Sequence, residues 1–306
     1  MTPKSASLDA FLTQYKNENA CRKFFEQIRF RKGDYCPHCG FTTIYRFDDG
    51  KRYRCAGCKK DFTIKTGTVF GESKIPLRKW FIAIYLLTTC RKGISSVQLS
   101  KQVGVTQKTA WFMDHRIRKA MKQGQGQLFG IIEADETYVG GKDKNKHLSM
   151  RQACTRGRST DVKTPVFGMV QRDGEVRAAA IPDARMLTLE KHISGNVQIG
   201  SRTYTDDFLS YYRLSKWYEH EKVQHSQGQY VRPGGIHTNT TECFWSLFKR
   251  GYIGIYHWMS RKHVQRYVDE FAYRFNTRQL DFTDVFTSMV NNVSDSTRLS
   301  YKALIA

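Results

Sequence analysis

The sequence lacks any apolar run approaching the ~20 residues that a membrane-spanning helix needs. Its longest, residues 80–87, is flanked by Arg78, Lys79, Arg91 and Lys92 and reads as a buried helix. The polar stretch 1–9 lacks the apolar centre of a secretory signal, so a cytoplasmic chain with no membrane partner is expected. No internal repeat is visible. Acidic residues are scarce: 28 Asp and Glu stand against 50 Lys and Arg, a formal net charge of +22. An excess of this size points to a polyanionic partner, nucleic acid before anionic membrane. With 306 residues, 40% of them apolar, the chain can build two or three domains with real cores.

Eight cysteines are present. Four form two pairs, Cys36 with Cys39 and Cys55 with Cys58, and fifteen residues separate the pairs. That spacing lies in the zinc-site range, and four thiolates make a closed tetrahedral site for one structural Zn²⁺. Ile44-Tyr45-Arg46-Phe47 and Arg52-Tyr53-Arg54 read as two strands turning at Asp48-Asp49-Gly50, so the module resembles a zinc ribbon. His38 sits inside the first pair and is taken as a bystander. Arg52 and Arg54, with Lys51, Lys59 and Lys60, are either phosphate contacts or a solvated basic face. Cys21, Cys90, Cys154 and Cys243 are scattered, as small buried residues are in a reducing compartment. Residues 8–30 read as a helix with a break near 17–19.

Residues 73–122 read as helical, with Pro76 at a first helical position and a stop at Gly93. Residues 94–106 give a short helix, a glycine turn and a new N-cap, and the next helix runs from Gln107 through Lys119. This pattern fits a helix-turn-helix, whose second helix offers its N-terminal residues to base edges; an ordinary helical hairpin is the competing reading. Gln107, Lys108 and Thr109 are the candidate readers, while His115, Arg116, Arg118 and Lys119 are expected at phosphates.

After a linker at 124–127 the pattern changes to strands. Residues 128–134 form one; 165–170 and 176–181 form a hairpin about Asp173-Gly174; 187–193 is helical; 196–205 leads into Asp206; 208–214 is helical again. Strand, hairpin, helix, strand, helix is the order of an RNase H-like α/β domain. Asp135 then ends a first strand and Asp206 a later one, while Glu242 opens a helix with Lys249 seven residues on, two turns along the same face. Two strand-end carboxylates and a helix carboxylate can converge on two Mg²⁺ ions, which take oxygen ligands and clamp the attacking and leaving oxygens of a phosphoryl displacement. Mn²⁺ can substitute. In so basic a chain this suggests cutting and joining of DNA. Neighbours compete for the assignment: Glu133 and Glu136 flank Asp135, Asp207 follows Asp206, and Asn239 lies three residues before Glu242. A basic loop spans 142–163, and an amphipathic helix follows Ser260.

The expected fold class is therefore multidomain α+β. An N-terminal helix and zinc ribbon occupy 1–70, a helical helix-turn-helix domain 71–125, and an RNase H-like α/β catalytic domain 126–306. At Cys36-Pro-His-Cys-Gly, residues 62–70, Lys108-Thr-Ala-Trp111, Asp135-Glu-Thr-Tyr-Val-Gly-Gly-Lys142, Thr205-Asp206 and the run His237 to Arg250, the chain resembles bacterial insertion-sequence transposases of the DDE superfamily, in the group with an N-terminal zinc ribbon related to eukaryotic Merlin elements. The resemblance implies an active Mg²⁺-dependent enzyme that binds terminal inverted repeats, with Asp135, Asp206 and Glu242 as metal ligands, Lys249 beside them and Arg250 on DNA. That group varies between Glu and Asn as the third ligand, so Asn239 stays open. Cys243 stands where a small residue such as Gly is expected. Two ends must be joined together, so a homodimer or larger oligomer is expected on DNA. A DNA-binding regulator without catalysis and an RNase H-like nuclease that only hydrolyses are the competing functions.

Overall fold

A computed structural model describes residues 7–121, 124–141, 147–150, 160 and 163–306. The chain divides into two compact units, residues 1–122 with 279–306, and residues 123–278. No helix among the described residues is long and apolar enough to cross a membrane. The basic loop near 142–163 and Cys154 fall almost wholly outside the described residues.

The first unit begins with α1 (Leu8–Gln14) and α2 (Glu18–Arg29). The break between them is an N-cap: the Asn17 side chain accepts from Ala20 N, satisfying one of the four N–H groups a helix start leaves open. Three short strands follow, β1 (Ile44–Arg46), β2 (Arg52–Cys55) and β3 (Asp61–Thr63), in one antiparallel sheet. The third lay beyond the expected pair. Then come α3 (Leu77–Thr89), α4 (Ser96–Val103) and α5 (Gln107–Ala120). Gly104 ends α4 in the left-handed region at φ 66°, and Thr106 caps α5. At the start of α3, Pro76 offers no side-chain cap, and the Glu18 carboxylate of α2 accepts from Leu77 N and Arg78 N instead.

The second unit is built on a five-stranded sheet. β4 (Ile131–Val139), β5 (Thr164–Gln171) and β6 (Val176–Ala180) form an antiparallel meander, α6 (Met186–Asn196) crosses over, and β7 (Arg202–Asp206) and β8 (Glu219–Val223) lie parallel beyond β4. The strand order is β6-β5-β4-β7-β8. α7 (Asn239–Gly251) and α8 (Val264–Asn276) follow. Ile132, Ala134 and Met169 face α6 residues Leu189 and Ile193, whereas Val139, Val166 and Val170 meet Phe244, Trp245 and Phe248 of α7 and Phe271 of α8. Successive strand residues alternate between these two faces.

Several expectations change. Asp135 sits inside the nine-residue β4 rather than at its end, because the polar residues after it pair with β5 as far as Val139. The expected helix at 208–214 is two 3₁₀ turns, Leu209–Tyr211 and Leu214–Lys216, and β8 was not foreseen in the charged segment Glu-His-Glu-Lys-Val. The last helices, α9 (Phe282–Asp295) and α10 (Tyr301–Ile305), pack with the first unit, not with the 126–306 block. The reason is aromatic: Phe286 of α9 meets the rings of Phe11, Tyr15, Phe24 and Phe81. Those contacts also tie α1, α2 and α3 into one core, so 1–70 and 71–125 do not separate.

Candidate metal centres and active site

The four paired cysteines converge. Their sulfurs all lie within 4.8 Å of one another, with Cys36 to Cys58 at 3.8 Å and Cys39 to Cys55 at 3.6 Å. A tetrahedron with Zn–S bonds of about 2.3 Å has S···S edges of roughly 3.8 Å, so the donor set fits one zinc ion. Backbone N–H groups of His38 and Cys58 donate to the sulfurs of Cys36 and Cys55, which suits thiolates. His38 is exposed and outside the cluster.

The carboxylate site lies in the second unit. β4 and β7 pair in parallel with Ile131 opposite Arg202 and Glu133 opposite Tyr204. The pairing ends there, and side-chain alternation along each strand brings Asp135 of β4 and Asp206, the last residue of β7, onto the same face as Glu133 and Tyr204. Paired residues share a face, so both acids stand on the face that α7 covers. On β5 the partner of Asp135 is Gly168. A Cβ built there would lie 2.6 Å from Cζ2 of Trp245. The missing side chain lets the Trp245 indole press onto the sheet beside Asp135, and with it α7, which carries Glu242 and Lys249.

Electrostatics show which charges act on Asp135. Burial, then the charges of Glu136 and Asp206, push the Asp135 carboxyl up to about 7, while its bond from Glu136 N and the Lys249 ammonium draw it back. Asp135, Asp206 and Lys249 therefore share one field. Glu242 is exposed on α7, 3.6 Å from His225 Nδ1, and Asn239 is exposed at the first position of the same helix. Among the described residues the cysteines are the one group of such ligand atoms within 4.8 Å, so the three carboxylates are not drawn that close.

The competing acids are engaged elsewhere. Glu133, 0% exposed, accepts from Arg172, from the backbone of Thr240 and Thr241, and from the Thr240 hydroxyl. Glu136 points to the opposite face and accepts from Tyr211 OH at 2.8 Å. The Tyr211 hydroxyl is itself pushed well above its ordinary value by burial and these acids. Asp207 accepts from Ser226. Sequence alternation put Glu133 on the Asp135 face, but nothing local signalled a partner more than a hundred residues on. Gly168 and His225 were likewise missed; a glycine inside an otherwise apolar strand was the available sign of a close approach.

The expected DNA contacts divide. Gln107 and Lys108 are exposed and Thr109 half-buried at the start of α5. Gln107 donates to Ser96, and the Lys108 ammonium lies over the Tyr301 ring. Arg116 is corrected: only 3% exposed, it donates to Gly71 O and stacks on Trp80 and Phe112, so it is a core residue. His115 and Arg118 are buried too. Burial along α5 increases from its exposed first turn, Gln107 and Lys108, to its second half, where His115, Arg116 and Arg118 lie. Lys119 reaches Thr297 and Arg298 of its own unit. Arg52 and Arg54 pair with Asp49 and Asp61, and Arg250 is exposed.

With this geometry in place, comparison with known proteins is direct. An ISXO2-like transposase domain matches residues 127–276 and a transposase zinc-ribbon domain residues 16–61. An uncharacterized protein in transposable element ISH50 of Halobacterium salinarum is 32% identical over 85% of this chain and 91% of that protein. Among solved structures, the Mos1 strand transfer complex is 13% identical over 70% of this chain and 75% of the other, with a TM-score of 0.28. A simian T-cell lymphotropic virus intasome in complex with PP2A regulatory subunit B56 gamma is 12% identical over 68% and 64%, with a TM-score of 0.23. The two domain matches and the ISH50 relative place the chain: it belongs to the IS1595-type DDE transposases that carry an N-terminal zinc ribbon.

Proposed function

We propose that this transposase binds the terminal inverted repeats of its insertion sequence, cleaves DNA at the element ends and joins the freed 3′-OH ends to target DNA. The observation that supports this reading is that β4 and β7 lie side by side in parallel and strand alternation turns Asp135 and Asp206 to one face, over which packs the helix of Glu242 and Lys249. A strand order that runs 3-2-1-4-5 within the second unit supports an RNase H-like catalytic fold.

Asp135, Asp206 and Glu242 would hold two Mg²⁺ ions, with Asn239 the competitor for the third place. The donors fit, being oxygens suited to a hard cation, and a carboxyl raised to about 7 by burial and like charge is one that a cation relieves. When bound, such ions supply Lewis-acid activation of the attacking and leaving oxygens. Lys249 places its ammonium as a point charge on a phosphate near the cut. Water adds to phosphorus, the P–O3′ bond breaks, and the oxygen departs as the 3′-OH with the water's proton. That hydroxyl then attacks a target phosphodiester in the same way. α4 and α5 act as a helix-turn-helix, with Gln107, Lys108 and Thr109 at base edges and Lys119, Arg52, Arg54 and Arg250 toward phosphates. The net charge of +22 supports a DNA partner whose binding falls steeply with salt, and the pairing of two ends requires at least a dimer on DNA.

The test is strand transfer on a pre-cleaved terminal-repeat duplex with Mg²⁺ or EDTA. Joined product that needs metal and disappears in Asp135→Ala, Asp206→Ala and Glu242→Ala is expected. Loss in Asn239→Ala but not Glu242→Ala moves the third ligand to Asn239. Cleavage without joining favours the hydrolytic nuclease, and binding with neither favours the regulator.

A further inference from the structure

α7 has no cap of its own. Thr238 precedes it without a side-chain cap, yet the first N–H groups of a buried helix need partners. His237 Nδ1 accepts from Asn239 N at 3.3 Å. The next two are taken by a residue of β4: Glu133 Oε2 accepts from Thr240 N at 2.7 Å and from Thr241 N at 3.1 Å. Glu133 Oε1 accepts from Thr240 Oγ1 at 2.9 Å and from Arg172 Nε at 2.7 Å. Arg172 in turn donates to Gly235 O and His237 O, the loop that delivers α7, and lies over the Tyr204 ring of β7. One carboxylate thus joins β4, the end of β5 and the start of α7.

We propose that Glu133, held by Arg172, is a positioning residue of the strand-transfer site, fixing where Glu242 and Lys249 stand relative to Asp135. The inference rests on the function proposed above. Glu133 precedes Asp135 by two residues on the same face of β4, about 7 Å along the strand, and Thr241, which it grips, immediately precedes Glu242. The two ends of the tether are therefore next to the two halves of the acid site. Charge suits the task, because a carboxylate is stabilised at the positive end of a helix and charge-assisted bonds are the strong ones. The same charge argues against a metal-ligand role. Arg172 and the α7 N-terminus already direct positive charge at both Glu133 oxygens, so a cation there would be repelled.

Glu133→Gln tests this in the full chain, because it keeps the side-chain shape and removes the charge. In Mg²⁺-free protein, hydrogen exchange at the Thr240 and Thr241 amides is expected to rise about tenfold or more, with the β5 amides unaltered. In strand transfer the joining rate is expected to fall ~100-fold, as for a displacement near 1 Å, and the Mg²⁺ midpoint to rise ~10-fold. Affinity for terminal-repeat DNA should stay within about twofold, since no Glu133 atom faces DNA in this scheme. A general loss of stability would not produce that split. Arg172→Lys, which leaves Glu133 in place, carries the same readouts if Glu133→Gln does not fold. Unaltered exchange at Thr240 and Thr241 overturns the tether. Faster exchange with joining within twofold of the parent overturns its role in the reaction. If the parent itself joins no DNA, the transposition reading fails, while the exchange experiment still decides the tether.

Discussion

The contact between Gly168 and Trp245 lets one methyl group test the acid site without touching an acid. Gly168 lies on β5 opposite Asp135, in ordinary strand conformation, so alanine meets no backbone penalty there. Its Cβ would fall 2.6 Å from Trp245 Cζ2 and 3.0 Å from Cη2, about 0.8 Å short of the 3.4 Å at which ordinary contact begins. Trp245 is 3% exposed and wedged among Phe244, Phe248 and the sheet, so it cannot swing clear. α7 must lift instead. Overpacking of this kind costs about 1–3 kcal/mol, and a shift near 1 Å at a catalytic group costs ~100-fold in rate. Gly168→Ala is therefore expected to lower the urea midpoint with its slope unchanged, and to cut strand transfer far more than DNA binding. Trp245→Phe removes the benzo edge that clashes. It forfeits no bond, because Trp245 Nε1 has no partner among the described residues. The double variant should cost less than the sum of the singles, with a coupling of about 0.5–3 kcal/mol. If Gly168→Ala folds with parental stability and joins DNA at the parental rate, α7 is not held by this contact and the reasoning fails.

Two further outcomes concern the proposed Mg²⁺ ligand Asp135 and the four-cysteine cluster. The Asp135 carboxyl is raised by burial and neighbouring acids to about 7, against 3.8 ordinarily. The native state therefore binds this proton more tightly than the unfolded chain does, and stability conferred by the protonated form is full below about pH 4 and lost as pH climbs toward 7. Without Mg²⁺, Asp135→Asn should thus be the more stable protein at pH 8, by about 2–4 kcal/mol. The difference should shrink toward pH 4, and saturating Mg²⁺ should stabilise the parent but not the variant; urea unfolding at pH 5 and pH 8 checks the order, and a more stable parent at pH 8 without metal refutes it. For the four-cysteine site, elemental analysis should find one zinc per chain. Chelation or Cys58→Ser should then unfold β1 to β3, since structural zinc supplies folding energy directly. Retention of that sheet's hydrogen-exchange protection after metal removal would count against the site.

Much of this was legible where the chemistry is local. The cysteine spacing located the thiolate cluster, and the break at Asn17 and the turn at Gly104 were marked by capping and turn residues. The meander β4 to β6 followed from apolar runs and Asp173-Gly174. What depends on distant pairing was not. β8 is a charged edge strand recognisable only through its partner β7. The sequence reading put α9 in the 126–306 block, because nothing within residues 282–295 tells which core their apolar side chains join. The basic face of α5 read as a surface because charge is the visible property of arginine. Arg116 instead spends its hydrogen bond on Gly71 O and its plane on aromatic rings. Glu133, one of three acids within four residues, could be told from Asp135 only by what stands across the sheet.

The return of α9 to the first unit bears on the order in which the protein can be made. Phe11, Tyr15, Phe24 and Phe81 leave the ribosome early, but Phe286, the ring that meets all four, is synthesised some two hundred residues later. All of residues 123–278 emerge in between. During translation the acid site can therefore assemble while the zinc-ribbon unit still carries an open aromatic face. A frameshift or stop between Arg278 and Phe286 would spare Asp135, Asp206 and Glu242, yet it would leave that face uncovered and send the chain toward aggregation or proteolysis.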